Sequence, residues 1–128
     1  MYYLNLKKEY KNISVLLGKT IVEITGGKKG DEEITFKTSD NKTYLMYHQQ
    51  DCCENVEIED VIGDLIDLID SPITMAEEVT QDGEEDDWGT STWTFYKLAT
   101  IKGFVTIRWF GESNGYYSES VEFAEILN

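Results

Sequence analysis

The only histidine of the chain and both of its cysteines lie within the stretch 48–53, beside acidic residues. Imidazole, thiolate and carboxylate groups are the ligands that hold zinc in proteins. The clustering therefore predicts a zinc site formed by His48, Asp51, Cys52 and Cys53. A closed site with four protein ligands is structural rather than catalytic. Three further carboxylates are alternative sources of the fourth ligand: Glu54, Glu77 and Glu78.

Other chemistry is open to the same residues. Free cysteines are often small buried apolar side chains, and a cysteine near a histidine can act as a nucleophile. A zinc hydrolase would leave one metal position open to water and use Glu54 or Glu78 as a general base. A zinc deaminase is excluded, because the chain has neither the His-x-Glu nor the Pro-Cys-x-x-Cys element. We predict that the protein is not an enzyme, with a small zinc hydrolase as the alternative.

The negative charge of the chain is concentrated in its middle. The net charge is −14, yet residues 43–96 hold fifteen acidic residues and no lysine or arginine, whereas residues 1–42 carry +2 and residues 97–128 carry −1. Direct nucleic-acid binding is disfavoured, because it requires cationic groups that displace counterions from phosphates. A basic protein surface is the expected partner, since opposite charges accelerate capture.

Two groups of acidic residues are candidates for contacting such a partner. Asp60, Asp64 and Asp67 would share one face of a predicted helix, opposite a wide apolar face. Carboxylates at such positions lie about 5–6 Å apart, which is of the order of the phosphate spacing in nucleic acids. A solvated surface is the usual role of an acidic run, and no calcium-binding loop pattern is present. The second group forms a polar loop: Glu84, Glu85, Asp86 and Asp87.

The hydrophobic pattern predicts an α+β fold in one domain spanning residues 1–128, built mainly on antiparallel sheet. A short N-terminal helix is expected over Leu6–Leu17, and a central helix over Asp60–Asp70, ended by Pro72. Alternating and β-branched segments between turn signals predict the strands. They are expected at 19–25, 32–38, 43–47, 56–59, 73–80, 91–100, 103–110 and 116–123.

The chain has no apolar run near the roughly 20 residues that span a bilayer, and no basic start followed by an apolar stretch. No membrane partner and no signal peptide are therefore expected. Two adjacent cysteines are not the disulfide framework of a small secreted protein, so a reducing cytoplasm is the expected location.

Several motifs resemble a family of small bacteriophage and prophage proteins. They are Asp51-Cys52-Cys53-Glu54, Ile58-Glu59-Asp60, Gly63-Asp64-Leu65, Ser71-Pro72-Ile73, Ala76-Glu77-Glu78, Trp93-Thr94-Phe95-Tyr96, Ile107-Arg108-Trp109-Phe110-Gly111 and Glu112-Ser113-Asn114-Gly115-Tyr116-Tyr117-Ser118. The resemblance covers about residues 13–125.

The sequence is also similar to zinc-containing anti-CRISPR proteins, which are phage inhibitors of the type II RNA-guided DNA nuclease. That resemblance implies binding to the effector nuclease, a block on loading of target DNA, and action in the cytoplasm of the bacterial host. With the charge distribution, it predicts a stoichiometric inhibitor whose acidic surface occupies a nucleic-acid-binding groove. Zinc would then be structural. The alternatives are a small phage zinc-dependent hydrolase and a phage accessory protein without catalytic activity.

Overall fold

A computed structural model describes residues 7–127, which form nine β-strands and two short 3-10 helices. The strands are β1 Lys8–Tyr10, β2 Ile21–Gly26, β3 Glu33–Thr38, β4 Thr43–Tyr47, β5 Asn55–Ile62, β6 Met75–Asp82, β7 Thr90–Thr100, β8 Gly103–Ser113 and β9 Glu122–Ile126. The 3-10 helices are Ile13–Leu16 and Leu65–Leu68. Within the described residues no helix is long and apolar enough to cross a membrane.

Two antiparallel sheets enclose the core. The five-stranded sheet has the order β1-β9-β4-β3-β2, and the four-stranded sheet has the order β5-β8-β7-β6. Alternate side chains of each strand point to one face, so Val105, Ile107 and Trp109 of β8 are buried while their neighbours face outward. One hydrophobic cluster contains residues from both sheets, which identifies the inner faces as the main core.

The core also contains specific polar and aromatic contacts. Trp109 donates its indole N–H to the Met46 sulfur at 3.3 Å, and the Tyr96 hydroxyl donates to the Val121 carbonyl at 3.3 Å. The Tyr44 and Phe123 rings stack with centroids 5.5 Å apart. Each contact joins strands or segments that are distant in sequence, and the Trp109–Met46 contact joins β8 of one sheet to β4 of the other.

The predicted α+β class is wrong, because the described residues are mainly β and contain only short 3-10 helices. In place of the helix over Leu6–Leu17, the chain forms β1 and the 3-10 helix Ile13–Leu16 (Leu6 lies outside the described residues). Asn12 caps this 3-10 helix by accepting a hydrogen bond from the Ser14 N–H at 2.9 Å. The spaced apolar residues Ile13 and Leu16 do face the core, but over a single turn.

The central helix over Asp60–Asp70 is also wrong. Its first residues extend β5, where Val61 lies opposite Ile107 of β8. Gly63 then adopts φ +100°, which an α-helix excludes, and only Leu65–Leu68 form a 3-10 helix. Sheet pairing therefore prevails over a helical apolar period in a segment rich in β-branched residues.

Most predicted strands are confirmed. The bounds of β4 agree with the predicted segment, and β2, β3, β6, β7 and β8 differ from theirs by a few residues at the ends. The last strand is displaced: residues 116–121 do not form a strand, and β9 begins at Glu122. The Asn114-Gly115 turn therefore leads into an irregular segment rather than directly into a hairpin strand.

Candidate functional site

His48 and Glu54 form a buried pair in the loop that connects β4 of one sheet to β5 of the other. Nε2 of His48 lies 2.7 Å from Oε2 of Glu54, and Nδ1 lies 2.6 Å from the carbonyl oxygen of Ser120. Both ring nitrogens are thus engaged in hydrogen bonds. The His48 and Glu54 side chains are 3% and 0% exposed, so the pair is a buried hydrogen-bonded contact.

The Glu54 carboxylate also organises the backbone of the loop. It accepts hydrogen bonds from the Asp51 N–H at 2.9 Å, the Cys52 N–H at 2.8 Å and the Gln50 side-chain amide at 3.2 Å. Burial alone raises the pKa of this carboxyl, but the bonds from His48 and the backbone outweigh it and hold the pKa at about 2. Glu54 is therefore an ionised anchor at neutral pH.

The predicted zinc ligands do not converge in this arrangement. Both nitrogens of His48 are engaged in hydrogen bonds, and the exposed Cys52 and Cys53 form a disulfide with each other. Asp51 is exposed and contributes its backbone N–H rather than its carboxylate. Among residues 7–127 no three histidine, cysteine or acidic side chains are grouped so as to hold a metal ion. These residues as placed do not fit a zinc ion, and the metal content of the purified protein tests the zinc site expected from sequence.

Glu77 and Glu78, two alternative fourth ligands, lie on β6. β5, which follows the 48–54 loop, and β6 are at opposite edges of the four-stranded sheet, with β8 and β7 between them. Of the predicted alternatives, only Glu54 contacts His48.

Asp60, Asp64 and Asp67 do not form one acidic helix face, because the helix that would align them is absent. Asp60 lies in β5, with its carboxylate 3.6 Å from the Arg108 guanidinium. Asp64 caps the 3-10 helix Leu65–Leu68 by accepting from the Ile66 N–H at 3.1 Å. The backbone carbonyl of Asp67 accepts a hydrogen bond from the Thr100 hydroxyl.

The predicted acidic loop is an exposed turn between β6 and β7. Glu84, Glu85, Asp86 and Asp87 are all exposed. Asp86 shapes the turn, since its carboxylate accepts hydrogen bonds from the Trp88 N–H at 2.8 Å and the Gly89 N–H at 3.1 Å. The turn leaves the Trp88 side chain 84% exposed. A large aromatic side chain thus stands beside the carboxylates.

A cleft of about 440 Å³ brings the acidic loop together with the cysteine segment. Its wall combines carboxylates and aromatic rings, and it includes Cys53, Glu84, Asp86, Trp88, Phe110 and Glu112. The two features singled out in the sequence therefore meet at one end of the four-stranded sheet. We refer to this cleft as the acidic cleft.

A buried carboxylate supports the same end of the sheet. Glu119 accepts hydrogen bonds from the hydroxyls of Thr90 at 2.6 Å, Thr92 at 2.8 Å and Ser113. Burial raises the pKa of Glu119, but the three hydroxyl donors outweigh it and the net pKa is lowered. This ionised group ties the irregular segment before β9 to the ends of β7 and β8.

The outward face of β7 and β8 is aromatic, which the sequence reasoning did not identify. Trp93 and Phe110 pack with ring centroids 4.5 Å apart, and the Arg108 guanidinium lies 5.7 Å from the Trp93 ring. Arg108 donates to both carboxylate oxygens of Glu59, at 2.6 and 3.1 Å. The sequence did contain an indication of this aromatic outward face. In β8, the outward residues that alternate with buried Val105, Ile107 and Trp109 include Phe104 and Phe110.

A larger cleft of about 780 Å³ lies at the other side of the 48–54 loop. It is lined by polar and acidic residues that include Asp31, Glu32, Glu33 and the edges of His48 and Glu54. Burial raises the pKa of Glu33, and the nearby Glu32 and Asp31 carboxylates add to the shift. Because His48 is fully hydrogen-bonded, this cleft presents no free imidazole for catalysis.

Comparison with known proteins gives a family but no activity. No curated protein and no solved structure matches the chain significantly. A family model described as a domain of unknown function, DUF7448, matches residues 14–123. That match includes the 48–54 loop, the acidic loop and the strands β6, β7 and β8. The chain therefore belongs to the DUF7448 family.

Proposed function

We propose that this protein is a stoichiometric inhibitor that covers a basic surface of another protein. The observation that carries the proposal is the fifteen acidic residues within 43–96, a segment without lysine or arginine. This segment supplies β5 and β6, the two edge strands of the four-stranded sheet, and the exposed acidic loop at its end. Carboxylates thus border this sheet on more than one side, in place of the single helical face expected from sequence.

The surface is supported by hydrogen-bonded carboxylates rather than by a convergent metal site. The His48–Glu54 pair fixes the loop that leads into β5, and Glu119 fixes the ends of β7 and β8. Glu54 directly precedes β5, and Glu119 contacts the ends of β7 and β8, so both carboxylates lie next to strands that line the acidic cleft. A rigid acidic surface supports tight binding, because little conformational entropy is lost when the partner docks.

The proposed partner is the type II CRISPR effector nuclease of the bacterial host, in whose cytoplasm the inhibitor would act. This choice comes from the resemblance to anti-CRISPR proteins, and the acidic surface is compatible with it. A nuclease groove that binds nucleic acid is cationic, so an acidic protein can occupy it and delay loading of target DNA.

The test is a titration of guide-loaded effector nuclease with purified protein, followed by DNA binding and cleavage. We expect inhibition to saturate near one inhibitor per nuclease when the protein is added before target DNA, and to weaken when it is added afterwards. Raising the salt concentration should weaken binding steeply, because the Debye length falls from about 10 Å at 0.1 M to about 3 Å at 1 M.

A pair of double variants with equal charge change isolates the acidic loop. The first variant, Glu84→Gln with Glu85→Gln, neutralises two exposed carboxylates of the acidic loop. The second variant, Glu23→Gln with Glu32→Gln, neutralises two exposed carboxylates of the five-stranded sheet, one in β2 and one directly before β3. The loop variant should slow association several-fold, and the control should not. Equal effects of the two variants would show that net charge alone acts. No binding to any effector nuclease would remove the proposed partner.

A zinc-dependent hydrolase, the alternative expected from sequence, has its own experimental signature. A hydrolase acts at substoichiometric concentration and loses activity with a chelator, whereas an occluding inhibitor does neither. The same titration, repeated with and without chelator, therefore separates the two functions.

A further inference from the structure

We propose that the aromatic outer face of the four-stranded sheet is the centre of the binding surface, and that it takes arginine side chains of the partner protein. The proposal rests on the proposed function and specifies its contact chemistry. We define the aromatic face as Val79, Trp93, Phe95, Arg108 and Phe110, which lie on β6, β7 and β8.

Strand register places these residues in two neighbouring rows. In one row Val79 lies opposite Phe95, and Phe95 lies opposite Arg108. In the next row Gln81 lies opposite Trp93, and Trp93 lies opposite Phe110. A small depression of about 230 Å³ opens between the rows, lined by Gln81, Trp93, Phe95 and Arg108. The face is therefore continuous across three strands.

Both rows end in an acidic residue on β5. Glu57 lies opposite Phe110, and Asp60 lies opposite Arg108. At the end of the sheet, Phe110 also lines the acidic cleft, which adds Trp88 and the carboxylates of Glu84, Asp86 and Glu112. An aromatic face bordered by carboxylates on two sides, at β5 and at the acidic cleft, is complementary to a cationic partner and repels anionic ones.

The protein itself shows how a guanidinium sits on this face. Arg108 lies over the Trp93 ring while its N–H groups bond both oxygens of Glu59. An aromatic ring below and a carboxylate beside a planar guanidinium are the two contacts that arginine makes better than lysine. Trp88, 84% exposed and next to Asp86, offers the same pair of groups to a partner.

The aromatic face also contains residue types that contribute most of the binding free energy in protein interfaces. Tryptophan and arginine are enriched among the few residues that dominate protein interfaces, and a polar rim around them excludes water. A second copy of this chain is a poor occupant, because it would bring its own acidic rim and a net charge of −14. An arginine-rich protein surface satisfies both the rings and the carboxylates.

The experiment uses polyarginine and polylysine peptides of equal length as probes, with binding followed by tryptophan fluorescence or calorimetry near physiological salt. We expect polyarginine to bind about tenfold more tightly than polylysine. Trp88→Ala and Phe110→Ala should each reduce polyarginine affinity by about tenfold and narrow the difference between the peptides. The melting temperature of each variant checks that it is folded.

Phe104→Ala is the matched control. Phe104 is on the outward face of β8 and 73% exposed, but it lines neither the acidic cleft nor the depression. Its loss should leave both affinities unchanged. Equal binding of the two peptides, or an equal loss in Phe104→Ala, would overturn the proposal. So would a dimer in sedimentation that Trp93→Ala dissociates, because the occupant would then be a second copy.

Failure of this inference and failure of the proposed function give different results. If the peptides bind equally while salt-dependent inhibition of the nuclease persists, charge alone makes the interface and the aromatic face is not its centre. If the arginine preference depends on Phe110 of the aromatic face and on the adjoining Trp88 but no effector nuclease binds, the arginine-binding surface stands and the proposed partner is wrong.

Discussion

At the scale of single residues, the most informative group is Glu54. Its carboxylate is buried and receives hydrogen bonds from His48 and two backbone N–H groups, so the ionised form is required for the loop to keep its shape. Removing a buried charge on which several hydrogen bonds converge typically costs about 3 kcal/mol or more. We expect Glu54→Gln to lower the free energy of unfolding by that amount, as measured by chemical denaturation. The exposed Glu84→Gln should change it by less than about 0.5 kcal/mol.

The same group predicts a pH dependence. The folded pKa of Glu54 is about 2, below its ordinary value of about 4.3, so its contribution to stability is complete above about pH 4.3. That contribution is lost as the pH falls from there toward 2. The difference in melting temperature between wild type and Glu54→Gln should therefore shrink between about pH 5 and 3. A difference that stays constant over this range would contradict the assignment of Glu54 as an ionised, hydrogen-bonded anchor.

The predicted zinc site can be tested at the same residues. With both His48 nitrogens hydrogen-bonded, we expect protein purified without added metal to contain far less than one zinc ion per chain. A chelator should then leave the melting temperature unchanged. Stoichiometric zinc that disappears in His48→Ala, with a chelator-sensitive melting temperature, would instead restore the zinc site expected from sequence.

At the scale of elements, Gly63 explains why the central helix does not form. It has φ +100°, and a Cβ at this position would collide with the backbone carbonyl of Phe104. Gly18 also has positive φ, at +80°, but a Cβ there would meet nothing within 4 Å. We expect Gly18→Ala to cost about 1 kcal/mol from backbone conformation alone, and Gly63→Ala about 3 kcal/mol because the steric clash adds to it. Equal costs, measured by chemical denaturation, would show that the clash is relieved.

Strands were predictable where an apolar or alternating segment lay between turn residues, as in Thr43–Tyr47 and in the pair formed by β7 and β8. The segment 60–70 was wrongly predicted to be a helix, because apolar residues at helical spacing also suit a strand followed by a single turn. No local rule shows that β8 is available for pairing with this segment. Of the candidate site, the acidic loop was predictable from composition. The His48–Glu54 pair was not, because it depends on Ser120, whose proximity is set by the fold.

At the scale of the whole molecule, the concentration of negative charge has a thermodynamic consequence. The net charge is −14, and repulsion among carboxylates opposes the compact state. Screening should relieve this repulsion, so raising sodium chloride from about 0.05 M to 0.5 M is expected to increase the melting temperature by a few degrees. Scanning calorimetry at neutral pH measures the change.

A double variant identifies the source of this salt effect. Glu84→Gln with Glu85→Gln should melt at a higher temperature than wild type in low salt and gain less from added salt. A melting temperature that falls with salt would mean that attractive ion pairs, such as Arg108 with Glu59, outweigh the repulsion.

The order of strands in the five-stranded sheet also bears on biosynthesis. β9 lies between β1 and β4, so residues 122–126 occupy an interior position of a sheet that begins at residue 8. A chain emerging from the ribosome cannot complete this sheet until its last strand has left the exit tunnel, and until then β4 presents an open pairing edge. Emergence of β9 from the exit tunnel, rather than growth of the N-terminal half, is therefore the event that permits this sheet to close.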